Sequence, residues 1–412
     1  MKKTILFLIS IITLLTGSIV SAQTYHVIDG VVIDEKGETL PYVSLRITGR
    51  AVTMTNADGG FVFKYKQTVD KDSLLVSYIG YKNLSIPFSA LHTSMKIRLE
   101  PAAVNLKEVV ITGISAESII RQAIKDIPKN YDTSPFEMKG FYRESGKVDT
   151  NYLSFAEASL HILNPGYTTD KRDLIVINKE RNLKKIGEKE VNNPLHLSVD
   201  GAPYTILLSD IIKNPAHTLG KDYAEKYKFE IAGSTEIYGE DAWLIQFDQR
   251  DGVKQALYKG TMVIIKSSFA IVSIDFALSP KGIEYAKADI SFLARPVFSL
   301  LGYSIKKLNE EFSERYIKID GKWYPYFYKI VTAHHFKARY QHLEGNLYIN
   351  AEMFISKVNK IPELKYDSRL IMPRNYVFKN YVTEYKDDYW GDYNFIKPTN
   401  SLREITEKIS PE

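Results

Sequence analysis

The chain has no cysteine, so any chemistry would have to come from histidines, carboxylates and hydroxyls. The absence removes disulfides, Cys-ligated zinc, iron–sulfur clusters, a thiol nucleophile and a lipidated Cys. His334-His335 is the most conspicuous pair. On a strand, neighbours point to opposite faces, so the two cannot chelate one ion, and the expectation is one His inward and one solvated. Glu310-Glu311, Glu314 and Asp320 could supply the paired carboxylates of glycoside hydrolysis, but nothing in the sequence sets their separation. None of the eight His, at 26, 92, 161, 196, 217, 334, 335 and 342, is followed three positions later by Glu, and no His-Glu-x-x-His occurs. A zinc-peptidase ligand set is therefore missing. Gly-x-Ser-x-Gly, a partnered Ser-x-x-Lys set, Gly-x-Gly-x-x-Gly and a Walker loop are missing too. Asn56 and Asp58 are oxygen donors of the kind calcium takes, but Gly59-Gly60 explains the spacing as a turn. The run Lys179 to Lys189 is interrupted by Glu and reads as a solvated loop. No catalytic, cofactor-binding or metal-binding residue is assigned, no cofactor is expected, and the binding residues stay open.

The elements that would position any site come from an ordinary globular composition. Of 412 residues, 44% are hydrophobic and 25% charged, with 28 Tyr and 19 Phe that favour strands. Such a length suggests two or three domains. Lys2 and Lys3, the apolar run Ile5 to Leu15 and the small residues Val20-Ser21-Ala22 read as a signal peptide over residues 1–22. A lone N-terminal anchor is the alternative. Cleavage removes two lysines and takes the net charge from +5 to +3, which predicts no nucleic-acid partner. Phe292 to Leu301 comes nearest to a later span, but Arg295 interrupts it. The expectation is an exported protein, periplasmic or associated with the outer membrane.

Residues 23–113 read as a β-sandwich. Asp34 to Gly37 and Asn56 to Gly60 are turns. Tyr42 to Ile47 alternates, with Val43, Leu45 and Ile47 on one face. Phe61 to Tyr65, Ser73 to Ile79 and Met95 to Leu99 are further short strands. The motifs Gly30-Val-Val-Ile-Asp, Gly37-Glu-Thr-Leu-Pro-Tyr-Val-Ser, Thr55-Asn-Ala-Asp-Gly-Gly-Phe61 and Ser77-Tyr-Ile-Gly-Tyr81 together resemble the carboxypeptidase-like regulatory domain. That resemblance implies a transthyretin-like sandwich of the type found in exported Bacteroidetes proteins, often ahead of a TonB-dependent receptor barrel. Leu106 to Gly113 resembles the segment that follows the domain there. The remaining residues, about 300, are too few for a 22-stranded barrel. The resemblance implies a fold and a docking or spacer role without peptidase activity.

Residues 114–360 read as a curved antiparallel β domain. It opens with a packing helix over 115–127, capped by Ser115, with Ile120, Ala123, Ile124 and Ile127 on one face and Pro128 as its stop. Phe136 to Arg143 and Asn151 to Ala158 read as strands, and Thr205 to Ile212 as a helical patch. Three hairpin patterns follow: Phe229 with Tyr238–Phe247, Gly260–Ile265 with Ala270–Phe276, and Tyr316–Tyr328 around Asp320-Gly321. Separate strands are expected at His335 to Tyr340 and Leu347 to Phe354. The Gly260 to Leu278 hairpin resembles that of LolA/LolB-type half-barrels, which implies an apolar concave face that holds acyl chains. The helix, the Phe141-Tyr-Arg-Glu144 strand and the segment Tyr389 to Pro398 resemble the C-terminal region of stand-alone Bacteroidetes proteins with this sandwich. Residues 361–412 read as a wrapping tail, with Tyr389, Trp390 and Tyr393 as packing anchors.

The fold class is thus mainly β, a transthyretin-like sandwich followed by a larger curved sheet with a few helices. The expected function is an exported, non-enzymatic binding or envelope-assembly protein whose partner is a lipid or an outer-membrane protein. A hydrolase of envelope polymers and a purely structural assembly factor are the alternatives.

Overall fold

The structure is a computed structural model describing residues 25–47, 50–66, 73–102, 113–184, 199, 201, 203–215, 225–287, 299–378, 389–391 and 393–409. The signal peptide, most of the segment from Leu106 to Gly113, residues 292–298 of the apolar run and residues 185–189 of the basic run lie outside them. Among the described residues, no helix is long and apolar enough to cross a membrane.

Seven short strands build the N-terminal body: β1 (Tyr25–Ile33), β2 (Ser44–Ile47), β3 (Arg50–Met54), β4 (Gly60–Lys66), β5 (Ser73–Ser77), β6 (Leu84–Pro87) and β7 (Ser94–Arg98). They form a sheet of order β4-β1-β7 and another of order β3-β2-β5-β6. Val43, Leu45, Phe61, Phe63, Leu74 and Val76 are fully buried in one core drawn from both sheets, as the alternation required. Both turns form. Asp34 Oδ1 accepts from the Glu38 amide at 2.8 Å, and Asn56 Oδ1 accepts from the Asp58 and Gly60 amides at 3.0 and 2.9 Å. Gly59 takes φ 76°, where a side chain would be strained.

Helix α1 (Ala116–Lys125) begins at Ser115, whose Oγ accepts from the Ser118 amide, and buries Ile119, Ile120 and Ala123. It ends two residues earlier than the sequence suggested. Pro128 does not stop it but sits in the first turn of a separate short helix, α2 (Ile127–Asn130), where a missing N–H costs nothing.

Ten strands then form one antiparallel, curved sheet: β8 (Phe136–Val148), β9 (Asn151–Asn164), β10 (Leu174–Lys184), β11 (Tyr227–Ile237), β12 (Glu240–Gln249), β13 (Tyr258–Ile265), β14 (Ile271–Leu278), β15 (Tyr303–Ile319), β16 (Lys322–Ala338) and β17 (Leu343–Lys360). Their order is β10-β9-β8-β17-β16-β15-β14-β13-β12-β11. Two meanders therefore meet where β17 returns to pair with β8. The edge strands β10 and β11 are adjacent in sequence but lie at opposite edges. Their connection must cross the sheet, and it carries helix α3 (Pro203–Leu208) over the inner face.

All three hairpins form, and Asp320 and Gly321 turn with φ 48° and 82°. Two expectations are corrected. His335 to Ala338 is the end of the continuous strand β16, because β15 runs back to Tyr303 and pairs with it throughout. Lys179 to Lys184 is the second half of β10 rather than a loop, because its Arg181 faces a buried acid on β9.

A Cβ at Gly260 on β13 would lie 2.2 Å from the Asp275 carbonyl oxygen on β14 and 2.8 Å from Phe276 Cα. Backbone cannot yield as a side-chain tip can. Gly260→Ala is expected to lower stability by about 1–3 kcal/mol, readable as a reduced urea midpoint with an unchanged m-value.

Candidate functional site

Three places gather polar side chains: a sealed cluster on the inner face, a charged row on the outer face, and an open trough beside that row.

The sealed cluster forms where the crossing segment meets β15 and β16. Asp210 Oδ1 accepts from Tyr316 Oη at 2.8 Å and from the Ile212 and Lys213 amides, and its Oδ2 accepts from Tyr328 Oη at 2.6 Å. Glu314 Oε2 accepts from the Ile211 amide at 3.1 Å and lies 2.9 Å from Tyr316 Oη. Tyr316 has one hydroxyl hydrogen. If it goes to Asp210, the contact with Glu314 needs a hydrogen from Glu314. Burial, with Asp210 beside it, pushes the Glu314 carboxyl well above the usual range, so Glu314 is the protonated partner. Burial likewise pushes the Tyr316 and Tyr328 phenols up. Asp173 and Lys213 form a neighbouring buried pair at 2.8 Å. Asp210 is 3% exposed and Glu314 1%, so no substrate reaches them. The cluster ties the crossing segment to the sheet.

The inner face around it is packed. Ile119, Ile120, Ile206, Leu207, Ile211 and Ile212 join the core with the inward side chains of the sheet, and Tyr131 Oη donates to the Ile271 carbonyl at 2.5 Å. Among the described residues, α1 and α3 pack on the inner face that the half-barrel resemblance assigns to acyl chains.

The charged row lies on the other face. Cross-strand register places Glu352 of β17 opposite Arg143 of β8, Arg143 opposite Glu157 of β9, and Glu157 opposite Arg181 of β10. Signs alternate along this line, the favourable pattern for directly opposed residues. Arg143 Nε donates to Glu157 Oε1 at 2.8 Å, Arg143 Nη1 to Glu352 Oε1 at 3.1 Å, and Arg181 Nε to Glu157 Oε2 at 2.6 Å. The C-terminal tail closes over the row. Arg143 also donates to the Ile396 and Lys397 carbonyls, and Trp390 Nε1 donates to Glu157 Oε2 at 3.2 Å. The Trp390 ring meets Phe141 edge-on at 5.2 Å.

The same tail holds the sandwich. Asn394 pairs with both backbone groups of Lys64 at 2.8 and 2.9 Å, as a neighbouring strand would. Lys397 Nζ reaches the Asp29 carboxylate at 2.6 Å, Asn56 Nδ2 donates to the Pro398 carbonyl, and the Asn400 amide donates to Asp58. Tyr42 stacks on Phe327 and accepts from Lys329 Nζ, and Met54 joins the core beneath. Burial pushes the Tyr42 phenol up. The turn that carries Asn56 and Asp58 therefore fastens the tail.

The trough, of about 650 Å³, runs across β11 to β15. Glu230, Gln246, Thr261, Asp275 and Ser313 line it in one register row. Arg315 grips Asp275 with both carboxylate oxygens at 2.7 and 2.8 Å, and Lys281 bridges Asp248 and Asp251. Tyr78 of the sandwich feels the Arg315 guanidinium and the Asp275 carboxylate, while burial pushes its phenol up.

The residues singled out in the sequence separate. His334 is buried, and His335 is partly exposed between Asn346 and Glu344. Glu310 pairs with Lys307, Glu311 lines the trough, Glu314 is sealed and Asp320 makes a turn. Among the described residues, no three His, Asp or Glu side chains gather as metal ligands would. Tyr389, Trp390 and Tyr393 belong to the packing beneath the sandwich. Sequence reading missed Arg143, Glu157, Arg181 and Asp210. A signal was present for Glu157, the lone acid of an otherwise largely apolar strand, whereas Arg143 and Arg181 stand among other charges.

Residues 28–111 match the family model of the CarboxypepD_reg-like domain, the class to which the sandwich motifs pointed. No curated protein matches the chain in sequence. Among solved structures, the chain is similar to a DUF1329 family protein from Desulfovibrio piger, at 9% identity over 62% of this chain and 99% of that one, TM-score 0.25. It is similar to MucB in the Pseudomonas aeruginosa MucA/MucB complex, at 10% identity over 60% and 98%, TM-score 0.19. It is also similar to a putative membrane-associated protein of unknown function from Bacteroides fragilis, at 13% identity over 81% and 96%, TM-score 0.16. At such TM-scores the likenesses carry no inference about function.

Proposed function

We propose that the chain is an exported, non-enzymatic binding protein of the cell envelope that docks a partner protein in the β11–β15 trough. The proposed organisation is a signal peptide over 1–22, a sandwich over 23–113, a sheet body over 114–360 and a tail over 361–412. One observation carries the reading: the titratable pair best suited to catalysis is sealed, whereas the trough is open and mixed in charge. A polar, charge-patterned face recognises a protein segment through hydrogen bonds and complementary charge. The packed inner face favours a protein over an acyl chain as the bound species.

Native mass spectrometry of the full chain purified from its own envelope tests this. A co-purifying protein is expected, lost when Thr261→Arg fills the trough. A co-purifying lipid, with no protein, would contradict the reading.

A further inference from the structure

The long central strands do not end where their neighbours do. β14 pairs with β15 over Glu311–Arg315, and β15 runs on to Tyr303. At roughly 3.3 Å per residue, the stretch from Tyr303 to Tyr316 spans about 40 Å. It leads away from Tyr316 and Phe327, the end where Tyr42 of the sandwich docks. A small separate core of Phe336 and Leu347, with Val148, Ile305 and Ile349 against it, stiffens this projecting finger.

The finger's tip is apolar and exposed. Leu300 is 79% exposed, Leu301 50% and Tyr340 68%. They are the described end of the apolar run noted in the sequence, together with the turn facing it. The two turns are stapled, since the Arg339 amide donates to the Gly302 carbonyl at 2.9 Å, and a Cβ at Gly302 would meet the Tyr340 ring at 2.8 Å. Two adjacent leucines held out in water are an unusual surface for a folded body. On the last rungs before the tip stand Lys306, Lys337 and Arg339 against Glu344 and Asp149. Lys337 is paired with Glu344 at 2.9 Å. The balance is cationic.

We propose that this tip seats in the interface of an anionic lipid bilayer, with Leu300 and Leu301 among the acyl chains, Tyr340 at headgroup depth and Arg339 and Lys306 on lipid phosphates. Aliphatic burial, an interfacial aromatic and flanking cations are the three features that hold a protein to such a surface. The cationic balance selects a lipid surface over an apolar groove on a protein, which would need no phosphate partners. The surface is separate from the trough and does not depend on a partner there.

Sedimentation of the full chain with phosphatidylethanolamine vesicles containing phosphatidylglycerol tests this. The chain is expected to bind, and to bind more weakly as salt rises. The double variant Leu300→Ser, Leu301→Ser is expected to bind about tenfold more weakly or worse, each lost aliphatic contact being worth roughly a decade. Arg339→Gln is expected to cost about fivefold, an effect absent with phosphatidylcholine vesicles. All three residues are exposed, so thermal unfolding is expected to be unchanged and guards against misfolding. No binding by the wild-type chain, equal binding by the double variant, or self-association through the tip in analytical ultracentrifugation would each overturn the proposal. None of these outcomes bears on partner capture in the trough, which the Thr261→Arg comparison reads separately.

Discussion

Glu157→Gln is expected to lower the stability of the full chain by about 3–5 kcal/mol. The acid sits between two guanidiniums that are each 99% buried, and it also takes the Trp390 indole hydrogen. Gln can accept a hydrogen bond but brings no charge, so Arg181 would lose the Glu157 carboxylate and Arg143 would keep only Glu352 as counter-charge in a dry interface. Removing one member of a buried ion set costs far more than the set contributes, because the remaining charges keep their desolvation penalty. The loss should not stay local. Arg143 also holds the Ile396 and Lys397 carbonyls, and the same tail holds the sandwich through Asn394, Lys397 and Pro398. Urea denaturation should therefore show the lower stability, and limited proteolysis should cut the tail under conditions where the wild type resists. Glu352→Gln, which loses a single bond at the end of the row, is expected to cost less. A loss below about 1 kcal/mol for Glu157→Gln would mean that the row does not lock the tail.

Raising the pH is expected to weaken the fold through Glu314. Its carboxyl is held well above the unfolded value of 4.5 by burial and by Asp210. The folded state keeps a proton that the unfolded chain gives up. Stability from this group is thus fully present below about 4.5 and is lost as pH rises toward the folded-state value, with a slope near 1.4 kcal/mol per pH unit for one proton. Glu314→Gln cannot ionise. Its amide oxygen in the place of Oε2 can still accept from the Ile211 amide, with the NH2 group in the place of the other carboxyl oxygen. The variant is expected to lack this part of the pH slope. Denaturation midpoints of both proteins across the acid-to-neutral range measure it. Parallel pH profiles would show that Glu314 folds ionised.

Much of the architecture was legible because local rules and tertiary structure agree. Asp34 to Gly37, Asn56 to Gly60 and Asp320-Gly321 demand particular backbone angles, and each turn forms. Alternation at Val43, Leu45 and Phe61 to Tyr65 fixes which face is buried. Where reading failed, the deciding partner was distant in sequence. Lys179 to Lys184 looked solvated because charges in a run are usually at the surface. Arg181 is buried only because Glu157 and the tail's Tyr389 and Trp390 rings cover it. Pro128 looked like a helix stop, and only the chain's sharp turn at Asp126 makes it an opening residue. Glu314 was visible as a carboxylate, but its partner Asp210 lies on the crossing segment 104 residues earlier, and no local pattern links the two. The trough is less legible still. It emerges from five strands in register, and each contributes one or two unremarkable polar residues.

A photo-crosslinking amino acid at Thr261, introduced into the full chain in its own cells, reads the docking face directly. A discrete adduct with one protein is expected at Thr261, with none from the same probe at the solvent-facing Lys96 of the sandwich. An unmodified chain at Thr261, or adducts equal at both positions, would contradict the trough as the place where this protein holds its partner.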